Sequence, residues 1–315
     1  MNETLIWQLG LLLGAGLVLV GAAGIVVSAT ASLAKRFGLT NFTVGFLLLG
    51  LATSTPELFV ALGSVTEGVP QLSVGNLLGG SILLLSFLMG ISSVIAGRIR
   101  LDHGLTFGEI VLSSAVVAAP AFVLWDGAAS RVDGMFLIGI YLLHGFLLKK
   151  DQERIRAFHA HTHRKRGIIY DVAMLGVGLM VLALAARGMV GVAELLVAAF
   201  QIPTFVFGLI LLSLGTNLPE LALAVEASMQ RKKGIAFADF LGSSAANTLI
   251  LGLVAVASPF VVASYEKLVF SLMLLVGVTL YFVWALSSGR VITRKEGIGL
   301  LFFYAVFLAY ELLSV

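Results

Sequence analysis

Cysteine is absent from the 315 residues, which excludes disulfides, thiolate metal centres and cysteine nucleophiles together. Charge is scarce as well. Only 12% of residues are Asp, Glu, Lys or Arg, where a soluble domain carries roughly 25%. With 59% hydrophobic residues and a mean hydropathy of +1.05, an ordinary water-soluble protein is excluded. Met1-Asn2-Glu3-Thr4 has none of the basic residues that open a secretory signal. The apolar run behind it is too long for a signal core, so a retained membrane helix is expected. No His-Glu-x-x-His, nucleophile elbow or glycine-rich phosphate loop occurs, so neither an enzyme nor a resident cofactor is expected.

What the chain has is apolar length. Leu5–Val27 contains no Lys, Arg, Asp or Glu, and about 20 such residues cross a hydrocarbon core. Ten spans are expected: 5–33, 40–66, 71–97, 104–125, 132–149, 168–187, 203–229, 234–263, 267–288 and 297–314. The predicted fold is an all-α integral membrane protein. Spans longer than 25 residues imply tilt, kinks or breaks.

The pI of about 9.2 could suggest nucleic acid, but the distribution of the bases excludes it. When loops are assigned alternately to two sides, seventeen of the twenty Lys and Arg fall on one side. The other side keeps only Arg131, Arg187 and Lys267. The positive-inside rule then places the basic loops in the cytoplasm and both termini outside, in the cell (inner) membrane. The partners expected are the lipid bilayer and small inorganic cations. The charged stretch 150–166 holds His159, His161 and His163, whose alternation could chelate a metal. No carboxylate or thiolate cluster accompanies them, which favours a cytoplasmic linker between halves 1–149 and 167–315.

Sliding the chain against itself by 163 residues lays Phe37–Leu62 over Phe200–Val225 without a gap. Thr53 then meets Thr216, Pro56 meets Pro219 and Glu57 meets Glu220. Further on in the same register, Gly79 and Ser81 meet Gly242 and Ser244. Five spans separate equivalent points. Five is odd, so the second half enters the membrane inverted, a plan that places a transport site near the midplane.

Glu57 and Glu220 fall near the centres of spans two and seven, where a charge costs about 2.5–3.5 kcal/mol on insertion scales. The proline before each acid should kink or break its helix, freeing carbonyls to line a cavity. Thr53 and Thr216 stand four residues before the acids, on the same helix face. Carboxylates, hydroxyls and carbonyls are hard oxygens that suit Ca2+ and also Na+, less so Mg2+. A protonated, merely hydrogen-bonded glutamate is the plainer reading, and duplication on inverted helices weighs against it.

Asp239, Ser243 and Asn247 form a stripe at spacing four on span eight, and their mates are Asn76, Gly80 and Leu84. Ser243 and Asn247 are expected on the ion path, whereas Ser81 and Ser244 serve equally as interhelical glue. Asp239 and Asn76 sit nearer helix starts, where capping competes. Glu226 is expected at an entrance, and His103 and His144 at the interface. Glu109, Asp171, Glu194 and Glu311 lie nearer span ends or on faces the pattern does not assign.

These motifs resemble those of the sodium/calcium exchanger family within the calcium/cation antiporters. That family carries Gly-Thr-Ser-x-Pro-Glu on one helix and Gly-Ser-Asn-x-x-Asn/Asp on the next. Here the first element reads Ala52-Thr53-Ser54-Thr55-Pro56-Glu57 and Gly215-Thr216-Asn217-Leu218-Pro219-Glu220. The second reads Gly75-Asn76-Leu77-Leu78-Gly79-Gly80-Ser81 and Ala238-Asp239-Phe240-Leu241-Gly242-Ser243-Ser244. The resemblance implies a central Ca2+ site of Thr53, Glu57, Thr216 and Glu220, a flanking Na+ ligand at Ser243, and Asn247 in the middle. It also implies carbonyl ligands at Gly50 and Ser213. Gly80 and Leu84 depart from the family's serine and amide or acid, removing a hydroxyl from one flank and a polar ligand from the centre.

The resulting expectation is a secondary antiporter exchanging Ca2+ for Na+ or H+. Two alternatives stay open: a family member that binds or senses a cation without exchange, and a proton-coupled carrier of another substrate. The coupling ion and the oligomeric state do not follow from the motifs.

Overall fold

The computed structural model describes residues 3–36, 49–66, 70–100, 106–156, 167–200, 207–229, 233–262, 264–287 and 291–313, with the single residues 46, 68 and 289. The histidines of the linker and His103 lie outside them. Within lipid no water can satisfy a backbone amide, so the apolar runs close their bonds internally as helices. Ten helices follow one another among the described residues. They are α1 (Glu3–Arg36), α2 (Gly50–Thr53 and Thr55–Thr66) and α3 (Pro70–Ile82, a π segment Leu83–Leu88, and Met89–Ala96). Next come α4 (Phe107–Val123), α5 (Arg131–Arg156) and α6 (Ile168–Phe200). The last four are α7 (a π segment Phe207–Leu212, Ser213–Thr216 and Leu218–Met229), α8 (Lys233–Ala257), α9 (Tyr265–Ser287) and α10 (Arg294–Leu313). Six are long and apolar enough to cross a membrane unbroken; α1 and α4 contribute the described apolar stretches Val20–Leu33 and Phe107–Val123, and α2 and α7 are the broken pair.

The helix ends differ from the hydropathy limits for local reasons. Past residue 149, α5 continues to Arg156, because Lys, Gln, Glu and Arg are good helix formers in water. Past the expected limit at 187, α6 continues to Phe200 and carries Arg187 and Glu194 with it. Conversely, α8 stops at Ala257, since Pro259 disfavours helical geometry at the residue before it.

The same contacts recur at the 163-residue offset. Gly79 of α3 rests on the backbone of Leu209, and its mate Gly242 of α8 rests on the backbone of Phe46, the mate of Leu209. A Cβ at Gly242 would stand 2.5 Å from the Phe46 carbonyl oxygen, so glycine is what lets these helices approach. Two antiparallel ribbons repeat the relation. β1 (Arg98–Arg100) pairs with β4 (Val291–Thr293), and β2 (Ala128–Ala129) pairs with β3 (Phe260–Val261). The offset carries β2 onto β4 and the start of β1 onto β3, so each ribbon ties one half to the other. The fold is thus two inverted five-helix repeats.

Helices α3 and α8 form the core: 78% of the residues in their apolar windows are buried, against 17% in α6. Phe122, Phe146, Ile169 and Phe302 are exposed on the outer helices, as a lipid-facing surface requires. Pro120 inside α4 leaves the Val116 carbonyl without its helical donor, and the Thr248 hydroxyl of α8 donates to it at 3.0 Å. Arg36 at the end of α1 pairs with Asp171 of α6 at 2.8 Å.

Candidate cation site

Helices α2 and α7 break at equivalent residues. Ser54 (φ −74°, ψ 12°) and Asn217 (φ −92°, ψ 12°) leave helical geometry, and the helix resumes at Thr55 and Leu218. The breaks precede the prolines by two residues. Pro56 and Pro219 cannot donate to the carbonyls four residues back, at Ala52 and Gly215, so the intervening turn opens. In the first half the Thr55 hydroxyl caps the freed Ala52 carbonyl at 2.6 Å. Its mate Leu218 has no hydroxyl.

Each new helix begins with the acid in its first turn. Glu57 and Glu220 are 1% and 0% exposed, and neither points to lipid. The Glu57 carboxylate lies beside Thr216, close enough to Glu220 for their charges to repel. The Glu220 carboxylate lies beside Thr53 and Ser243. The threonine of each half therefore stands beside the acid of the other half. All four carboxylate oxygens lack a hydrogen-bond donor among the described residues. Asp239 Oδ2 and Asn247 Oδ1 are likewise buried without one.

The surrounding hydroxyls are anchored across the repeat boundary. Thr53 Oγ1 shares its one proton between Asp239 Oδ1 at 3.2 Å and the Leu49 carbonyl at 3.0 Å, with Ser243 Oγ also 3.0 Å away. Thr216 Oγ1 makes the matching bond to Asn76 Oδ1 at 3.3 Å. The Gly50 carbonyl lies 3.4 Å from Ser243 Oγ. Asn247 Nδ2 donates to the Leu77 carbonyl at 3.3 Å and to Ser81 Oγ at 3.2 Å, which holds α8 to α3. Ser244 is buried, and its hydroxyl has no partner among the described residues. Leu84 is buried in the apolar core.

Among the described residues no three His, Cys, Asp or Glu side chains converge as metal ligands. The two glutamates stand among neutral oxygens, with the Asp239 carboxylate on the side of Thr53. Helix α6 lies over both breaks, where Leu179, Leu182 and Ala183 line a small gap together with Pro56 and Pro219.

Asp239, Asn76 and His144 stand elsewhere than expected. Asp239 and Asn76 are fully buried and cap nothing: α8 begins at Lys233 and α3 at Pro70, so both already lie inside their helices. The 163-residue offset, which pairs the two, was the available sign of their role. His144, expected at the interface, is 1% exposed; it bonds Ser113 Oγ at 3.0 Å and meets Phe46 edge-on at 5.1 Å. Glu226 is half-buried and lies against Gly24 of α1. Glu109 closes a capping box with Thr106 at the start of α4.

Ten helices in inverted halves, with paired acids at two matching breaks, are the build of a secondary cation transporter. The profile described as sodium/calcium exchanger protein matches residues 7–148 and 170–313. The chain belongs to that family, and it is a cation antiporter, not an enzyme. It is 29% identical over 253 residues to the inner membrane protein YrbG of Escherichia coli K12, covering 77% of this chain and 78% of YrbG. It is 26% identical to the sodium/calcium exchanger MaX1 of Methanosarcina acetivorans, covering 95% of this chain and 97% of that one. The fold matches the sodium-calcium exchanger NCX_Mj soaked with Na+ and Sr2+, with a TM-score of 0.82 at 22% identity, over 96% of this chain and 97% of the other.

Proposed function

We propose that the chain exchanges Ca2+ for Na+ or H+ through one midplane site shared by Glu57 and Glu220. The observation that carries this reading is the burial of four carboxylate oxygens without a donor, on symmetry-related breaks. An uncompensated buried ion costs several kcal/mol, and a bound cation offsets that cost. Thr53, Thr216, Ser243, the Asn247 oxygen and the carbonyls of Gly50 and Ser213 complete the oxygen set; Ca2+ takes about six to eight such ligands. The names of the relatives, sodium/calcium exchanger among them, support this ion pair.

The charges of the two glutamates are neutralised either by one Ca2+ or by monovalent cations. Occupancy is then mutually exclusive, and this coupling turns a gradient of one ion into movement of the other. Residues 1–149 and 167–315 are the two halves that share the site, with 150–166 as a cytoplasmic linker and both termini outside the inner membrane. The test is radiolabelled Ca2+ uptake into proteoliposomes under imposed Na+ or H+ gradients. Gradient-dependent uptake is expected from the native chain and not from Glu57→Gln or Glu220→Gln. Folded native protein that shows no such uptake rules the reading out.

A further inference from the structure

The two sides of the acid pair, alike by the repeat, differ in what they offer a cation. Beside Thr53 stand the Asp239 carboxylate, whose Oδ2 has no donor, the Ser243 hydroxyl at 3.0 Å from Thr53 Oγ1, and the Gly50 carbonyl. The mates of Asp239 and Ser243 are Asn76 and Gly80, so the side beside Thr216 has neither that charge nor that hydroxyl.

Amide nitrogens occupy the vicinity of Gly80. A Cβ there would lie 3.0 Å from Asn217 Nδ2 and 3.2 Å from Asn247 Nδ2. Asn217, the mate of Ser54, is 2% exposed. Its Nδ2 donates to the Ser213 carbonyl at 2.8 Å and approaches Thr216 Oγ1 at 3.4 Å. The Ser213 carbonyl also accepts the Asn217 backbone N–H at 3.1 Å. An NH2 group has donors only, and these contacts turn its hydrogens toward the oxygens that a cation on this side would need.

We propose that Asn217 is a specificity-determining residue whose amide closes the flank beside Thr216 to cations, leaving the flank beside Thr53 to take Na+. The inference rests on the antiporter reading of the acid pair. Gly80 and Asn217 act as one unit, the missing side chain on α3 making room for the amide from α7. Fewer Na+ ions then accompany each exchange than two open flanks would bind.

The test is Na+ competition against radiolabelled Ca2+ bound to purified protein in detergent, with thermal stability measured alongside. Gly80→Ser alone is expected to lower stability, because its Cβ crowds the Asn217 amide. Adding Asn217→Ser is expected to restore stability and to raise the Na+ Hill coefficient by about one, the sign of a further coupled site. Asn217→Ser alone adds no atom that could clash, and it should lower the Na+ midpoint about threefold. Ser243→Gly, on the open side, should lower the Hill coefficient. Folded variants with an unchanged Na+ midpoint and Hill coefficient overturn the inference, as does native protein whose bound Ca2+ is not displaced by Na+. Native protein that binds no Ca2+ overturns the acid-pair reading and this inference together.

Discussion

The hydroxyl of Thr53 on α2 donates to the carboxylate of Asp239 on α8 at 3.2 Å, joining the first half of the chain to the second beside the acid pair. The mate of this contact, Thr216 to Asn76, closes at 3.3 Å on the other side. The walls of the site thus belong to both repeats, and a shift of one half against the other re-aims the hydroxyl that stands next to each glutamate. The two contacts are alike in geometry and differ in charge.

That difference is measurable. Asp239→Asn keeps an oxygen for Thr53 and removes one buried charge. Na+ competition should weaken by about tenfold, the worth of on the order of 1–2 kcal/mol of lost attraction, while Ca2+ binding persists. Competition binding on the variant checks this; equal loss of both ions would assign Asp239 to the central site instead.

Neutralising either acid should stabilise the cation-free protein while it abolishes exchange. Glu57→Gln removes a buried acid whose oxygens have no hydrogen-bond donor among the described residues, so thermal stability in chelator is expected to rise. The further increase that Ca2+ gives the native chain should shrink at the same time. A shared site requires Glu220→Gln to do both as well. Melting curves with and without Ca2+ report the two effects.

The crossings at Gly79 and Gly242 tolerate no methyl group. Gly242→Ala sets a Cβ against the Phe46 backbone, which cannot turn aside as a side chain would. The cost is about 1–3 kcal/mol, seen as a smaller monodisperse fraction on gel filtration. Gly63→Ala, with nothing within 4 Å of the new carbon, serves as the control and should behave as native.

Orientation can be read without a background of native thiols, because the chain has none. Gln152→Cys, near the end of α5, should react with an impermeant maleimide only after cells are opened. Arg131→Cys, at the start of the same helix, should react in intact cells. The reverse pattern would place the termini in the cytoplasm.

Hydropathy made the ten spans legible, since bilayer thickness sets helix length, and the offset repeat made the acids and threonines legible. Partnership across the site was not. Spacing alone pairs Thr53 with Glu57 on one helix face, whereas the break and the inverted repeat bring Thr53 to Glu220. Asp239 is left between capping and function because polar residues near helix starts are usually caps, and the tertiary packing of α2 on α8 gives it another task. The filling of the space at Gly80 by Asn217 is invisible to spacing for the same reason: the two residues lie on different helices from different halves.

Anomalous scattering from crystals grown with Ca2+ locates the bound ion. One strong peak is expected between α2 and α7, with oxygens of both Glu57 and Glu220 at about 2.3–2.6 Å. A Ca2+ peak held by only one of the two acids, or lying away from both, would contradict the shared site.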